Sequence, residues 1–314
     1  MVLRARKATK EFLFLLYKLG IRLGFYVVPV HYYAPNINML ELENTIDQWA
    51  HKSELPGLDI DIDCQLATLR SFLLPYMREL ADHALYRAGT GQQIGPGYGE
   101  ENFSATYCVL RTIKPSRVIE IGSGVSTYGT LAALKRNTAE LGTSASLVAI
   151  EPFPNKRLRA LDGVSLIEAP VQSVPIRIFL ELEENDLLFI DSSHMVKSGS
   201  DVNFLILEVL PRLKPGVIIH FDDIHLPYDH GPSILTHPIH FSETSMLRAF
   251  LINNKHAEIL FSLRMLYYER LKALVSLFPD FEPGEVTEQG LYPKRYGIEG
   301  PRGSRPGAMF IRIV

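Results

Sequence analysis

From about residue 100 onward the chain alternates short apolar runs with longer amphipathic stretches, the pattern of strand–helix–strand units in a parallel sheet. The apolar runs fall at 117–121, 147–151, 165–168, 187–191 and 217–222, with helical periodicity over 128–136, 155–161, 176–182 and 202–213 between them. Five such units predict a doubly wound α/β sheet. The alternation lapses over 224–241, resumes with a helix over 243–253, and ends in two late runs, 258–263 and 309–314, that predict an antiparallel edge. Ahead of the sheet, helices are expected over 11–26, 39–50 and 63–85. The last carries Leu66, Leu69, Leu73, Leu74, Met77 and Leu80 at helical spacing. Five glycines and a proline within 89–99 mark a loop or hinge. The expected organisation is a helical N-terminal cap over 1–90 and an α/β domain over 91–314.

Hydrophobic residues make up 46% of the 314, with 16 Phe and 14 Tyr, which supports a folded core and excludes collagenous or mainly disordered classes. Lys and Arg total 32 against 35 Asp and Glu; the net charge of −3 provides no field to attract nucleic acid, so small-molecule partners are expected. Cys64 and Cys108 lack CxxC spacing and can form neither a disulfide framework nor a thiolate zinc cage, which suits a cytoplasmic setting. Residues 11–30 are rich in Phe, Leu and Tyr, but Lys18, Arg22 and Pro29 interrupt them before the roughly 20 apolar residues a spanning helix needs. The basic start (Arg4, Arg6, Lys7, Lys10) leaves two readings of this helix open: peripheral contact with a membrane, or packing on its own domain. A homo-oligomer also stays open.

The first strand runs into a glycine turn, Gly122-Ser123-Gly124, where the backbone can approach a ligand closely and the next helix offers free N–H groups to an anion. A dinucleotide fingerprint would place a third glycine at Thr127, which argues against a nicotinamide cofactor. The second strand ends at Glu151, whose carboxylate can accept hydrogen bonds from both hydroxyls of a ribose. Adenosine without a pyrophosphate suits this pair.

The segments RVIEIGSGVST, AIEPFP, DLLFIDSSHMVKSGSDVNF and LPRLKPGVIIHFDD, in this order, resemble the class I S-adenosylmethionine-dependent methyltransferases, and most nearly the bacterial branch with macrolide-sugar O-methyltransferases. The resemblance covers roughly residues 100–314. It implies a Rossmann-like, doubly wound, seven-stranded sheet with an antiparallel last strand. It also implies that Glu120, Gly122, Ser123 and Gly124 lie along the methionine part of the cofactor, that Glu151 holds the ribose, and that Gln172 flanks the adenine. The glycine loop with Tyr98 would close over the cofactor.

A second constellation concerns the reaction. Asp191 ends the fourth strand, His194 follows three residues later, and Asp222-Asp223 ends the fifth. Neighbouring strand ends in a parallel sheet point into one crevice, and carboxylates converging there suit a hard cation such as Mg²⁺. The resemblance implies the same use of Asp191, Asp222 and Asp223. Methyl transfer from a sulfonium is an in-line displacement in which the acceptor hydroxyl must lose its proton; His194 is the expected base, with Asp191 beside it. Six of the ten histidines lie in 194–240, but none shows metalloprotease spacing. The long connection is expected to act as a lid in which His225, Tyr228 and His230 reach the acceptor. The expected function is an S-adenosylmethionine-dependent, magnesium-assisted O-methyltransferase acting on a hydroxyl of a small molecule or sugar. A nicotinamide-dependent oxidoreductase and a non-catalytic cofactor-binding scaffold are the alternatives.

Overall fold

The computed structural model describes residues 2–30, 36–95, 97–236, 239–278, 280–292 and 305–314. Seven strands form one sheet: β1 (Arg117–Ile121), β2 (Ser146–Ile150), β3 (Ser165–Ile167), β4 (Leu187–Ile190), β5 (Ile218–Phe221), β6 (Ala257–Ser262) and β7 (Met309–Ile313). Their order is β3-β2-β1-β4-β5-β7-β6. The first five strands pair in parallel, and β7 runs antiparallel to both β5 and β6. The late strands thus supply the antiparallel edge that the sequence pattern predicts.

The central strands are apolar throughout because both faces of the sheet are covered. Successive residues alternate between two cores. Val118, Leu187, Phe189 and Phe310 face one, together with Leu69, Leu73, Phe103 and Leu110. Ile119, Ile121, Leu188, Ile190 and Phe221 face the other, with Leu205, Ile206 and Val209. Full burial of each such side chain stabilises the fold by about 1.5–3 kcal/mol.

The register fixes where the chemistry emerges. Ile121 lies opposite Ile190, and Ile190 opposite Phe221. The residues that follow leave the sheet side by side: Asp191 N–H donates to the Ile121 carbonyl at 3.0 Å and Asp222 N–H to the Ile190 carbonyl at 3.0 Å. On the other side, Gly122 N–H donates to Ile150 and Glu151 N–H to Ile167. Strand order reverses at β1 and β4, so the crevice beyond their carboxyl ends is the place for a ligand.

The compact units divide after Trp49 and not near residue 90. One comprises 1–49 with 234–239, the other 50–233 with 240–314. The helix over Ile62–Leu73 belongs to the sheet unit because Leu66, Leu69, Phe72 and Leu73 enter its core. That helix stops short of the expected 85, since Pro75 offers no N–H and restricts the residue before it. A 3₁₀ helix over Met77–His83 follows, and α-helix resumes over Ala84–Gln92, running into the glycine-rich stretch that reads as a loop. The helix over Glu100–Ile113 is not among the elements expected from the sequence, and every residue from Glu101 to Arg111 is buried. In the first unit, the helix over Val2–Arg22 exposes Phe12, Phe14, Leu15 and Leu19. Among the described residues no helix is long and apolar enough to cross a membrane.

Candidate functional site

A cavity of about 490 Å³ opens at the switch point, walled by Gly122, Ser123, Glu151, Gln172 and Asp191 among others. Four residues assigned to the cofactor on sequence therefore share one space with one assigned to the chemistry. Gly122 has φ +82°, and a Cβ there would stand 2.2 Å from the Asp191 carbonyl oxygen, so only glycine fits the turn. Gly95 closes against the same turn, where a Cβ would meet the Ser123 carbonyl oxygen at 2.2 Å. Glu151 Oε1 accepts the Phe153 N–H at 2.8 Å, which holds its carboxylate at the rim, and the Gln172 amide donates to the Gly199 carbonyl at 3.1 Å. Thr127, in place of a third glycine, uses its hydroxyl to accept the Gly124 N–H at 3.0 Å and so caps the helix over Val125–Leu141.

Glu120 is fully buried on β1, and the Ser126 hydroxyl donates to its Oε1 at 2.6 Å. Its Oε2 has no partner among the described residues. Burial pushes its pKa up to about 8, against the opposing hydrogen bonds from Ser126 and Thr127. An orphaned carboxylate oxygen beside a glycine cradle fits a ligand ammonium such as that of a methionine moiety.

Tyr98 does not close over the cofactor. Its ring is buried against Phe189 and His220, and its hydroxyl is shared between Thr106 Oγ1 at 2.9 Å and His220 Nε2 at 3.0 Å. With its polar atom satisfied inside the sheet unit, it is an anchor for the glycine segment. The connection after β5 is likewise no open lid: Ile224, Leu226, Tyr228, His225 and His230 are all buried. Tyr228 donates to the Glu288 carbonyl at 2.8 Å. His237 lies outside the described residues.

The second constellation assembles at the ends of β4 and β5. His194 (φ +56°) and Asp223 (φ +52°) both adopt the left-handed conformation, a local strain that places their side chains near one another. His194 Nε2 lies 3.3 Å from Asp191 Oδ1 and 3.9 Å from Asp223 Oδ2. Its Nδ1 meets Glu243 Oε2 at 2.7 Å, and its carbonyl accepts the N–H groups of Ser242 and Glu243. Burial disfavours the imidazolium, but the carboxylates of Asp191, Glu243 and Asp223 outweigh it and raise the His194 pKa to about 11. The neighbouring carboxylates thus favour the imidazolium of His194, a form that already carries the proton the expected base would take.

Asp222 turns elsewhere. Its Oδ1 accepts from Asn102 Nδ2 at 2.7 Å, and Asn102 Oδ1 in turn accepts the N–H groups of Gly307 and Ala308. Burial, then the charges of Asp223 and Asp191, push the Asp222 pKa well up. Three acids in one place suit a divalent cation chemically. As they stand, however, no three carboxylate, imidazole or thiolate groups among the described residues are set to share one. His194 Nε2 stands near both Asp191 and Asp223, and the described residues show no three-ligand arrangement for the expected magnesium. Glu243 and Asn102 carry no motif and stand 49 and 120 residues from their partners, which hides both from sequence reasoning.

Sheet order, glycine turn and crevice together define a domain of the class I methyltransferase type. Over residues 119–224 the chain matches the family described as Methyltransferase domain. It is similar to an uncharacterized protein of Archaeoglobus fulgidus, 28% identical over 171 residues that span 50% of this chain and 74% of that one. Among solved structures it is similar to the SAH-bound methyltransferase PaMTH1 of Podospora anserina, at 15% identity and TM-score 0.40, covering 92% of this chain and 98% of that one. It is also similar to the SAM-bound O-methyltransferase TomG of Streptomyces achromogenes, involved in tomaymycin synthesis, at 14% identity and TM-score 0.37, covering 82% and 91%.

Proposed function

We propose that the chain transfers the methyl group of S-adenosylmethionine to a hydroxyl oxygen of a small molecule, sugars included. The observation that carries this reading is the acidic cluster bordering the cofactor cavity: Asp191 lines the cavity and shares His194 with Asp223. Bound S-adenosylmethionine supplies an electrophilic methyl group on a sulfonium. Glu120 with the glycine turn binds its amino acid part, and Glu151 its ribose hydroxyls. An acceptor hydroxyl must give up its proton as its oxygen bonds to carbon. Asp223 takes that proton: its Oδ2 lies 3.9 Å from His194 Nε2, and its side chain is 45% exposed. His194, held as a cation, orients Asp191 and Asp223 and stabilises negative charge growing on the oxygen.

The test is calorimetric titration with S-adenosylmethionine, followed by transfer of labelled methyl to a panel of alcohols, phenols, sugars and amines. Binding in the micromolar range and label on oxygen are expected. No binding at about 1 mM would remove the reading, label on nitrogen or carbon would remove the hydroxyl assignment, and tight binding without transfer would favour the scaffold alternative. No step runs through magnesium; turnover lost on exhaustive chelation and restored by Mg²⁺ would overturn the role given to His194.

A further inference from the structure

Methyl transfer gives no role to the helix over Val2–Arg22, whose surface is unlike that of the rest of the chain. Ten of the twenty large apolar side chains exposed among the described residues lie between Phe12 and Val30. Single exposed apolar residues are ordinary on a protein surface, whereas crowding of this kind marks a face built to be covered. Phe12, Leu15 and Leu19 recur at three- and four-residue spacing, so they form one stripe along the helix, and each is more than half exposed. Leu23 and Tyr26 extend the exposed run past the helix end. There the chain folds back: Phe25 N–H donates to the Gly20 carbonyl at 3.0 Å, and a Cβ on Gly20 would stand 2.8 Å from the Phe25 carbonyl oxygen. The fold-back covers Gly20 and leaves the stripe outside.

Positive charge is concentrated on the same helix. Arg4, Arg6, Lys7, Lys10, Lys18 and Arg22 stand against a single acid, Glu11, so the helix carries +5 and the rest of the chain −8, for the total of −3. Lys18 and Arg22 follow Leu15 and Leu19 at i+3, beside the stripe, and the Lys18 ammonium lies 4.5 Å from the centre of the Phe14 ring. Side chains of this length lay their apolar stems along neighbouring groups and keep their charge at the edge of an apolar layer. An exposed apolar stripe with a cationic flank, on a helix not apolar enough to cross a membrane, suits a helix lying in the plane of the membrane interface. A second copy of the chain would cover the stripe only by setting +5 against +5. We propose that this helix docks the protein on a membrane surface rich in anionic lipid, with Phe12, Leu15 and Leu19 entering the headgroup boundary and Lys18 and Arg22 at the anionic headgroups. Each basic group close to such a surface strengthens binding about fivefold. The docking is independent of the methyl-transfer reading.

The experiment sediments the full chain with large vesicles of phosphatidylcholine alone, and with vesicles in which about one third is phosphatidylglycerol, at about 0.1 M and about 0.5 M NaCl. Partition onto the anionic vesicles should exceed that onto neutral ones by roughly tenfold or more, and should fall by roughly tenfold at the higher salt. Leu15→Ser with Leu19→Ser should lose roughly tenfold in partition with an unchanged thermal unfolding midpoint, because both side chains are exposed in the free protein. Lys18→Gln with Arg22→Gln, which leaves the apolar stripe whole, should lose roughly 25-fold on anionic vesicles and nothing on neutral ones. Equal partition onto both vesicles, or none onto either, overturns the proposal. Two further results overturn it when they come without vesicle binding. Self-association in sedimentation velocity that the two serines abolish gives the face to a second copy, and a lowered unfolding midpoint in the serine variant gives it to the protein's own fold. Titration with S-adenosylmethionine reads the methyl-transfer proposal separately, so either can fail while the other stands.

Discussion

Replacing Glu243 by glutamine tests the charge state on which the site's chemistry turns. The carboxylate lies 2.7 Å from His194 Nδ1, and glutamine keeps the shape while removing the charge. At an effective dielectric near 20, opposite charges at that separation attract by ~6 kcal/mol. Desolvation of two buried ions takes back several kcal/mol, leaving a net of ~2–3 kcal/mol. That is enough to bring the His194 pKa from about 11 down to ~9. The sign follows from the raised value: in the unfolded chain histidine titrates near 6.5, so stabilisation from the imidazolium is complete below that pH and fades as the pH rises toward 11. Glu243→Gln should therefore unfold at lower urea by ~2–3 kcal/mol at pH 7, and the gap should narrow between about pH 9 and 11. Imidazole ¹⁵N spectra of His194 follow the proton directly. A wild-type resonance titrating near pH 6.5, or a variant as stable as the wild type at pH 7, would refute the reasoning.

Two further outcomes follow from the cofactor end. Gly122→Ala must place a side chain at φ +82° and 2.2 Å from the Asp191 carbonyl oxygen, so it should lose at least tenfold in S-adenosylmethionine affinity, with backbone strain of about 1–3 kcal/mol on stability; unchanged calorimetric affinity would show that the turn does not bear on the ligand. Glu120, with its pKa at about 8, is mostly protonated at pH 7, and a ligand ammonium beside its free oxygen favours the ionised form. Binding should therefore release a proton and tighten as the pH rises from 6 to 8. Titrations in two buffers of different ionisation enthalpy measure that proton, and identical enthalpies would move the ammonium away from Glu120.

Much of the sheet was legible in the chain because buried parallel strands are short apolar runs between turns, and the glycine turn after β1 announces itself by composition. The acidic residues at the ends of β4 and β5 were legible for the same reason: they are the first polar residues after an apolar run. The helix over Glu100–Ile113 was not among the expected elements, although the fold buries it from Glu101 to Arg111. The resemblance places Tyr98 over the cofactor, and only the fold supplies Thr106 and His220 to hold its hydroxyl.

What the sequence determined by itself is local: which segments become strands, where the backbone must be glycine, and which ionisable groups stand at strand ends. Tertiary structure decided what those groups are. Glu243, 49 residues from His194, and the two neighbouring aspartates favour the cationic form of an expected base, and Asn102, 120 residues away, donates to Asp222. Protonation and ligation depend on distances between side chains and on exclusion of water, and neither quantity exists until the chain has folded.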